Sequence, residues 1–273
     1  MSRMIACRRL EFAYDRFGNA ADPTIVLIRG LGTQMIEWGD EFIAALVAAG
    51  LQVLIFDNRD VGESSKLNEQ YALTDMAGDV VGIMAALDIG QAHIFGISLG
   101  GMVAQLVGYL YPEKVLCLFS VMSSSGNPQL PAISAQTRAR LLETAADRES
   151  IIRLNADNRQ AFGSPGYPES GQQRLATATR AYDRCYCPAG VARQMQAVID
   201  DGSRVARLQK IRVPTLVIHG ADDPLIDCAA GADTAQQVPD SEFVAVPGMG
   251  HNIPAALVPT IAGLVADFIT RRT

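Results

Sequence analysis

Residues 92–110 read AHIFGISLGGMVAQLVGYL. The first six are an apolar, β-rich run, and from Ser98 the stretch reads as a helix. At the junction lies G-x-S-x-G, as Gly96-Ile97-Ser98-Leu99-Gly100. With 24 glycines in the chain, a chance match to five positions is not negligible. The context gives it weight, because a strand runs in and a helix runs out. A turn that tight strains the serine backbone. Its neighbours then need glycine for want of a Cβ. The hydroxyl is presented at the C-terminal edge of a sheet, and the helix aims its free N–H groups and positive dipole end at the same spot.

Working outward, the same alternation recurs. Residues 8–14 read as a first strand, and 24–28 (TIVLI) and 53–56 (VLIF) as buried ones. Residues 115–121, 215–219 (TLVIH) and 242–246 complete the set. Between them, 38–49, 74–87 and 254–269 carry helical spacing. Strands separated by helices imply βαβ units and a parallel sheet. Burial on both faces explains continuous apolar runs rather than alternation. From 123 to 210 no strand is legible, and helical stretches are punctuated by Pro128, Pro131, Pro165, Pro168 and Pro188. A segment that long is not a loop. The expected organisation is an α/β core of residues 1–122 and 211–273, with 123–210 inserted as a helical lid.

A serine hydroxyl needs a base to become a nucleophile. The chain offers His93, His219 and His251. His93 stands at the wrong end of its strand. His219 ends a strand near the same edge and reads as structural. His251 lies in a glycine-rich loop, Gly248-Met249-Gly250-His251-Asn252, after the last strand, at the same edge as Ser98. An orienting carboxylate is the third requirement. Asp222 and Asp223 follow the strand TLVIHG at that edge, one of them expected in an Asx turn before Pro224 and the other facing the histidine. The order is Ser, Asp, His.

Over nearly its full length the chain resembles the α/β-hydrolase superfamily, in its esterase-type branch, with RGLG, DNRDVGES, GISLGG, HGADDP and GMGH in order. The resemblance implies Ser98, Asp223 and His251 as a catalytic triad, the acid being the Asp just before Pro. It implies an oxyanion hole formed by the backbone N–H groups of Leu99 and Leu31. The family usually has His-Gly where this chain has Arg29-Gly30, and Arg29 is left either to pair with a carboxylate or to face the substrate. Asp57-Asn58-Arg59-Asp60-Val61-Gly62-Glu63-Ser64 resembles the family's D-x-R-G-x-G-x-S, with Asp60 at the usual Gly, and reads as a structural turn with Arg59 held by carboxylates. Trp38, the only tryptophan, together with Met35, Met102 and Met122, is a candidate for the substrate pocket.

Composition bounds the rest. The chain has 273 residues, 49 % hydrophobic and 19 % charged, which suits a globular domain and excludes disorder, collagen and coiled coil. Acidic residues outnumber basic ones, 29 to 23, and no run of Lys or Arg exceeds two, which disfavours nucleic acid and anionic membranes as partners. The longest apolar run, residues 42–56, is broken by Gly50 and Gln52 and is too short to span a bilayer. No signal-peptide h-region is seen, so a cytoplasmic location is expected. Five cysteines make no disulfide scaffold, and Cys185-x-Cys187 lacks a second pair for zinc, so no metal or other cofactor is expected. The reading is a serine hydrolase acting on a small-molecule carboxylic ester. Lactonases, C–C bond hydrolases, acyltransferases and cofactor-free perhydrolases share the triad, and only the pocket separates them. A non-catalytic binding module has no need of a complete triad.

Overall fold

The computed structural model describes residues 2–131 and 133–272. Residues 1 and 273 of the expected core, and 132 of the expected insertion, lie outside the described residues. Eight strands form one sheet in the order β1-β2-β4-β3-β5-β6-β7-β8. These are β1 Arg3–Cys7, β2 Leu10–Phe17, β3 Thr24–Ile28, β4 Gln52–Phe56, β5 Ala92–Ile97, β6 Val115–Val121, β7 Thr215–Gly220 and β8 Ser241–Val246. From β4 across to β8 every neighbouring pair is parallel. The chain is an α/β protein with a mostly parallel sheet, as its alternating runs imply.

The N-terminal edge differs from the expected single strand over 8–14. Here β1 and β2 form an antiparallel hairpin, and β2 pairs antiparallel with β4. The turn between them is made by Arg8 and Arg9, at φ 49° and 68°. Such turns normally carry Asn or Gly, so the arginines give no turn signal.

All five residues of β3 are buried. Val26 and Ile28 pack on one face of the sheet, Ile25 and Leu27 on the other. On the first face lie α2 (Leu73–Ala86) and α3 (Leu99–Leu110). On the second lie α1 (Asp40–Ala48) and, at the end of the chain, Val258–Arg272, here called α10. An aromatic ladder, Trp38–Phe42–Phe95–Phe119–Phe268, runs through the second face with neighbouring centroids 5.5–6.0 Å apart. α10 begins at Val258 rather than 254, because a short 3-10 turn over Ala255–Leu257 follows Pro254.

Between β6 and β7 stand five helices, α4 Ala135–Leu141, α5 Arg148–Phe162, α6 Gly171–Arg184, α7 Pro188–Asp201 and α8 Val205–Leu208, with no strand among the described residues. Ion pairs tie this segment to the sheet's loops. Arg184 meets Asp57 at 2.7 Å, Arg193 meets Asp60 at 2.9 Å, and Arg159 meets Glu37 at 3.2 Å. Asp60, at φ 68° where glycine would sit without strain, is therefore an anchor for α7. Arg59 is held by both oxygens of buried Asp79, at 2.6 and 2.7 Å. One helix is missing from the sequence reading: α9, Cys228–Gln237. Its buried face is Ala230, Gly231, Asp233 and Thr234, so it lacks an apolar stripe. No described helix is long and apolar enough to cross a membrane.

His93 lies on β5, fully buried, and among the described residues neither ring nitrogen has a hydrogen-bond partner. Burial pushes its pKa down to about 4. A histidine in the unfolded chain titrates near about 6.5. Between those values the unfolded state binds the extra proton, so stability is lost as pH falls from about 6.5 towards about 4. Urea unfolding of wild type and His93→Leu at pH 7 and pH 4.5 measures this. The variant is expected to lose less stability on acidification, by up to about 3 kcal/mol. Equal losses would contradict it.

Candidate active site

From Ala92 to Gly101 every residue is buried except Ser98. Ser98 is the N-cap of α3, at φ 57°, ψ −123°. A non-glycine residue held there stores about 1–3 kcal/mol of strain. The surroundings hold it in place. The Ser98 N–H donates to the Val121 carbonyl at 2.9 Å, and its carbonyl accepts from Gly101 N–H and from Ser123 Oγ. Two glycines make the turn possible. A methyl group on Gly96 would overlap the Gly100 carbonyl, and one on Gly100 would overlap the Ile28 carbonyl at the end of β3. β3 and the turn are thus in backbone contact.

That contact brings the loop after β3 to the serine. A Cβ on Gly30 would lie 3.1 Å from Ser98 Cβ. Leu31 follows directly. Leu99 is the first residue of α3, so its N–H has no acceptor within the helix. The two expected oxyanion donors therefore stand on the two segments that flank Ser98.

At the end of β7, Asp223 is buried, and its two oxygens are used separately. Oδ1 accepts the N–H groups of Leu225 and Ile226, at 2.8 and 3.0 Å. Oδ2 faces His251 Nδ1 at 2.7 Å. The division of labour expected between Asp222 and Asp223 is therefore corrected. Asp223 makes the Asx turn and meets the histidine, while Asp222 Oδ2 accepts the Gly248 N–H at 2.8 Å and ties down the histidine's loop. Burial alone would push the Asp223 carboxyl up. The His251 imidazole, the His219 ring and the Ile226 N–H outweigh it and hold the carboxyl well below the usual carboxylate range.

His219 stands beside this pair, as its place at the end of β7 implies. Its Nε2 lies 2.9 Å from the Ile226 carbonyl and 3.4 Å from Asp223 Oδ2. Nε2 thus faces two acceptors, and among the described residues Nδ1 has no partner. The segment between β6 and β7 clamps the His251 loop from the other side. His251 N–H donates to the Phe162 carbonyl at 2.8 Å, Gly250 N–H to Ser164 Oγ at 2.9 Å, and Gly166 N–H to the Gly248 carbonyl at 2.9 Å. Phe162 and Ser164 lie some 90 residues before the histidine, and nothing in the sequence marks them.

Ser98, Leu31, Leu99 and His251 line one cavity of about 530 Å³, within the usual range for small-molecule sites. Trp38, Met102 and Met122 line it as well. Met35 is corrected: it is buried in the core, its N–H donating to Asp57 Oδ1 at 2.7 Å, and it is not among the lining residues. The outer wall comes from α5, α6 and α7. Among the described residues no group of three or more His, Cys, Asp or Glu is placed to hold a metal, and the five cysteines are free thiols.

Comparison with known proteins places these features in a family. The chain is 24 % identical to rhodomycin D methylesterase of Streptomyces peucetius, over 97 % of this chain and 96 % of that protein. It is 27 % identical to 3-oxoadipate enol-lactonase 2 of Acinetobacter baylyi, over 80 % of this chain and 78 % of that one. The crystal structure of the enol-lactonase from Burkholderia xenovorans LB400 superposes with a TM-score of 0.83 at 24 % identity, covering 98 % of this chain and all of the other. The family model for the alpha/beta hydrolase fold matches residues 23–255. A match spanning both the Ser98 turn and the His251 loop makes the chain a member of the α/β-hydrolase fold family.

Proposed function

We propose that the protein is a cofactor-independent serine hydrolase that cleaves carboxylic esters through an acyl-enzyme. The observation that carries this is the 2.7 Å contact of His251 Nδ1 with Asp223, on a cavity that both His251 and Ser98 line. With Nδ1 committed to the carboxylate, Nε2 is the nitrogen left to accept a proton. Ser98 Oγ attacks the acyl carbon and its proton passes to His251 Nε2. The carbonyl electron pair moves onto oxygen, where the N–H groups of Leu31 and Leu99 stabilise it, each worth about 3 kcal/mol. The pair returns, the C–O bond breaks, and the leaving alkoxide takes the proton from His251. Water then repeats the sequence on the acyl-enzyme, releasing the acid and Ser98. Asp223 fixes the tautomer of His251 and stabilises the imidazolium.

Relatives named as a methylesterase and an enol-lactonase support an ester or its cyclic form, a lactone, as the substrate. The segment 123–210 serves as a lid that selects the substrate, since α5, α6 and α7 supply the cavity's outer wall.

Hydrolysis of 4-nitrophenyl acetate, butyrate and octanoate tests the reading. Wild type is expected to turn over at least one, and Ser98→Ala to lose at least about 10³-fold in kcat. Retained activity in the variant would remove Ser98 from the mechanism. The pH profile gives a second test. The base must be unprotonated, so kcat/KM falls on the acid side as an imidazole gains its proton, while the Asp223 carboxyl, held low, remains charged through that limb. A profile flat from pH 5 to 9 would contradict a histidine base. Asp223→Asn is expected to lower kcat by about 10³–10⁴-fold while leaving ester binding in place. A loss under tenfold would mean that the carboxylate does not orient His251.

A further inference from the structure

Arg29 carries a charge that the fold does not pair. It stands immediately before Gly30, the residue packed against Ser98. Its guanidinium lies over the Trp38 ring, 4.8 Å from the centroid, and its Nε donates to Thr33 Oγ1 at 3.3 Å. Among the described residues its two terminal nitrogens make no hydrogen bond, and no carboxylate lies within ion-pair distance. The nearest acids are committed elsewhere. Glu37 accepts from Arg159 Nη1 at 3.2 Å and from Gln34 N–H at 2.7 Å, and Glu169 faces Arg159 at 3.5 Å. Thr33, Trp38, Glu37, Arg159 and Glu169, the groups around this guanidinium, all line the cavity of Ser98 and His251.

The same wall holds two further donors that lack a partner among the described residues. Trp38 Nε1 and Arg159 Nε are buried without an acceptor. Arg29 itself is half-buried and lines the same cavity. Burial lowers the Arg29 pKa to about 10, the Glu37 charge opposing the fall and Arg159 adding to it, so the group is cationic at neutral pH. A half-buried cation with no carboxylate partner is matched by a ligand that supplies the counter-charge. The guanidinium fork matches a carboxylate with two parallel N–H···O bonds.

We infer that the substrate carries a carboxylate in addition to the scissile ester, and that the Arg29 guanidinium in the cavity wall binds it. This rests on the ester-hydrolase reading. The substrate class becomes the half-esters and lactones of acids with a second, free carboxyl group. Arg29 sets specificity and takes no part in bond breaking.

Two pairs of esters test it, each an acid and its methyl ester: 4-nitrophenyl hydrogen succinate, with the charge on the acyl part, and 4-acetoxybenzoate, with the charge on the alcohol part. In wild type at least one acid is expected to exceed its neutral partner in kcat/KM by about tenfold or more, the size of one charge-assisted hydrogen bond. Arg29→Gln is expected to bring that ratio to about 1, and Arg29→Lys to keep part of it. Because the ratio is taken within each enzyme, a general loss of activity does not disturb it. Ratios at or below 1 in wild type, or a ratio unchanged in Arg29→Gln, would overturn the proposal. Calorimetric titration with glutarate and with glutaramide reads the cation without chemistry. Glutarate is expected to bind wild type about tenfold more tightly or better, with the difference lost in Arg29→Gln, and equal binding would overturn the proposal. Failure of the ester-hydrolase reading looks different: neutral 4-nitrophenyl acetate is not hydrolysed, whatever the binding preference.

Discussion

Backbone packing between the end of β3 and the β5–α3 turn is the constraint on which the rest of the molecule depends. Gly100 fits against the Ile28 carbonyl, and Gly96 against Gly100, only because neither has a side chain. That closeness holds Ser98 at a positive φ, lifts its hydroxyl out of an otherwise buried stretch, and points the start of α3 at it. It also decides what stands opposite. The loop after β3 has nowhere to go but alongside the serine, so Gly30, Leu31 and Arg29 become parts of one site. Position 29 is then both next to the Ser98 turn and part of the cavity lining.

Electrostatics at the other half of the site follow from a buried carboxylate that must be satisfied. Asp223 receives two backbone N–H groups on one oxygen and faces two imidazoles with the other. These partners outweigh the desolvation that opposes ionisation, so a charged acid is kept beside His251 in a dry setting. The loop bearing His251 is pinned on one side by Asp222 and on the other by the segment after α5. The helices between β6 and β7 thus cover the cavity and fix the histidine that faces it. A change in that segment would alter the cavity wall and the placement of His251 together.

Much of this was legible in the sequence where one physical cause dominates. The strands of the sheet's interior are buried on both faces, so TIVLI, VLIF and TLVIH stand out as unbroken apolar runs. The Ser98 turn is legible because its glycines answer to backbone clashes. The β1–β2 hairpin was not, because Arg8 and Arg9 adopt a positive φ that their residue types do not advertise. α9 was not, because Ala, Gly and Thr bury a face without an apolar stripe. Met35 reads like a pocket residue but is drawn into the core beside Asp57. The roles of Ser164 and Arg159 depend on long-range pairings that no local pattern encodes. Arg29 was ambiguous from sequence alone. Its surroundings in the fold, with every nearby acid already engaged, give it a reading.

The central claim is that Ser98 is a nucleophile activated by His251 and Asp223. Its most direct test is mass measurement of the intact protein after treatment with a fluorophosphonate, with peptide mapping of the adduct. The account predicts a single adduct on Ser98, formed far more slowly in His251→Ala. An unmodified protein, an adduct on another residue, or equal labelling of the two proteins would contradict it.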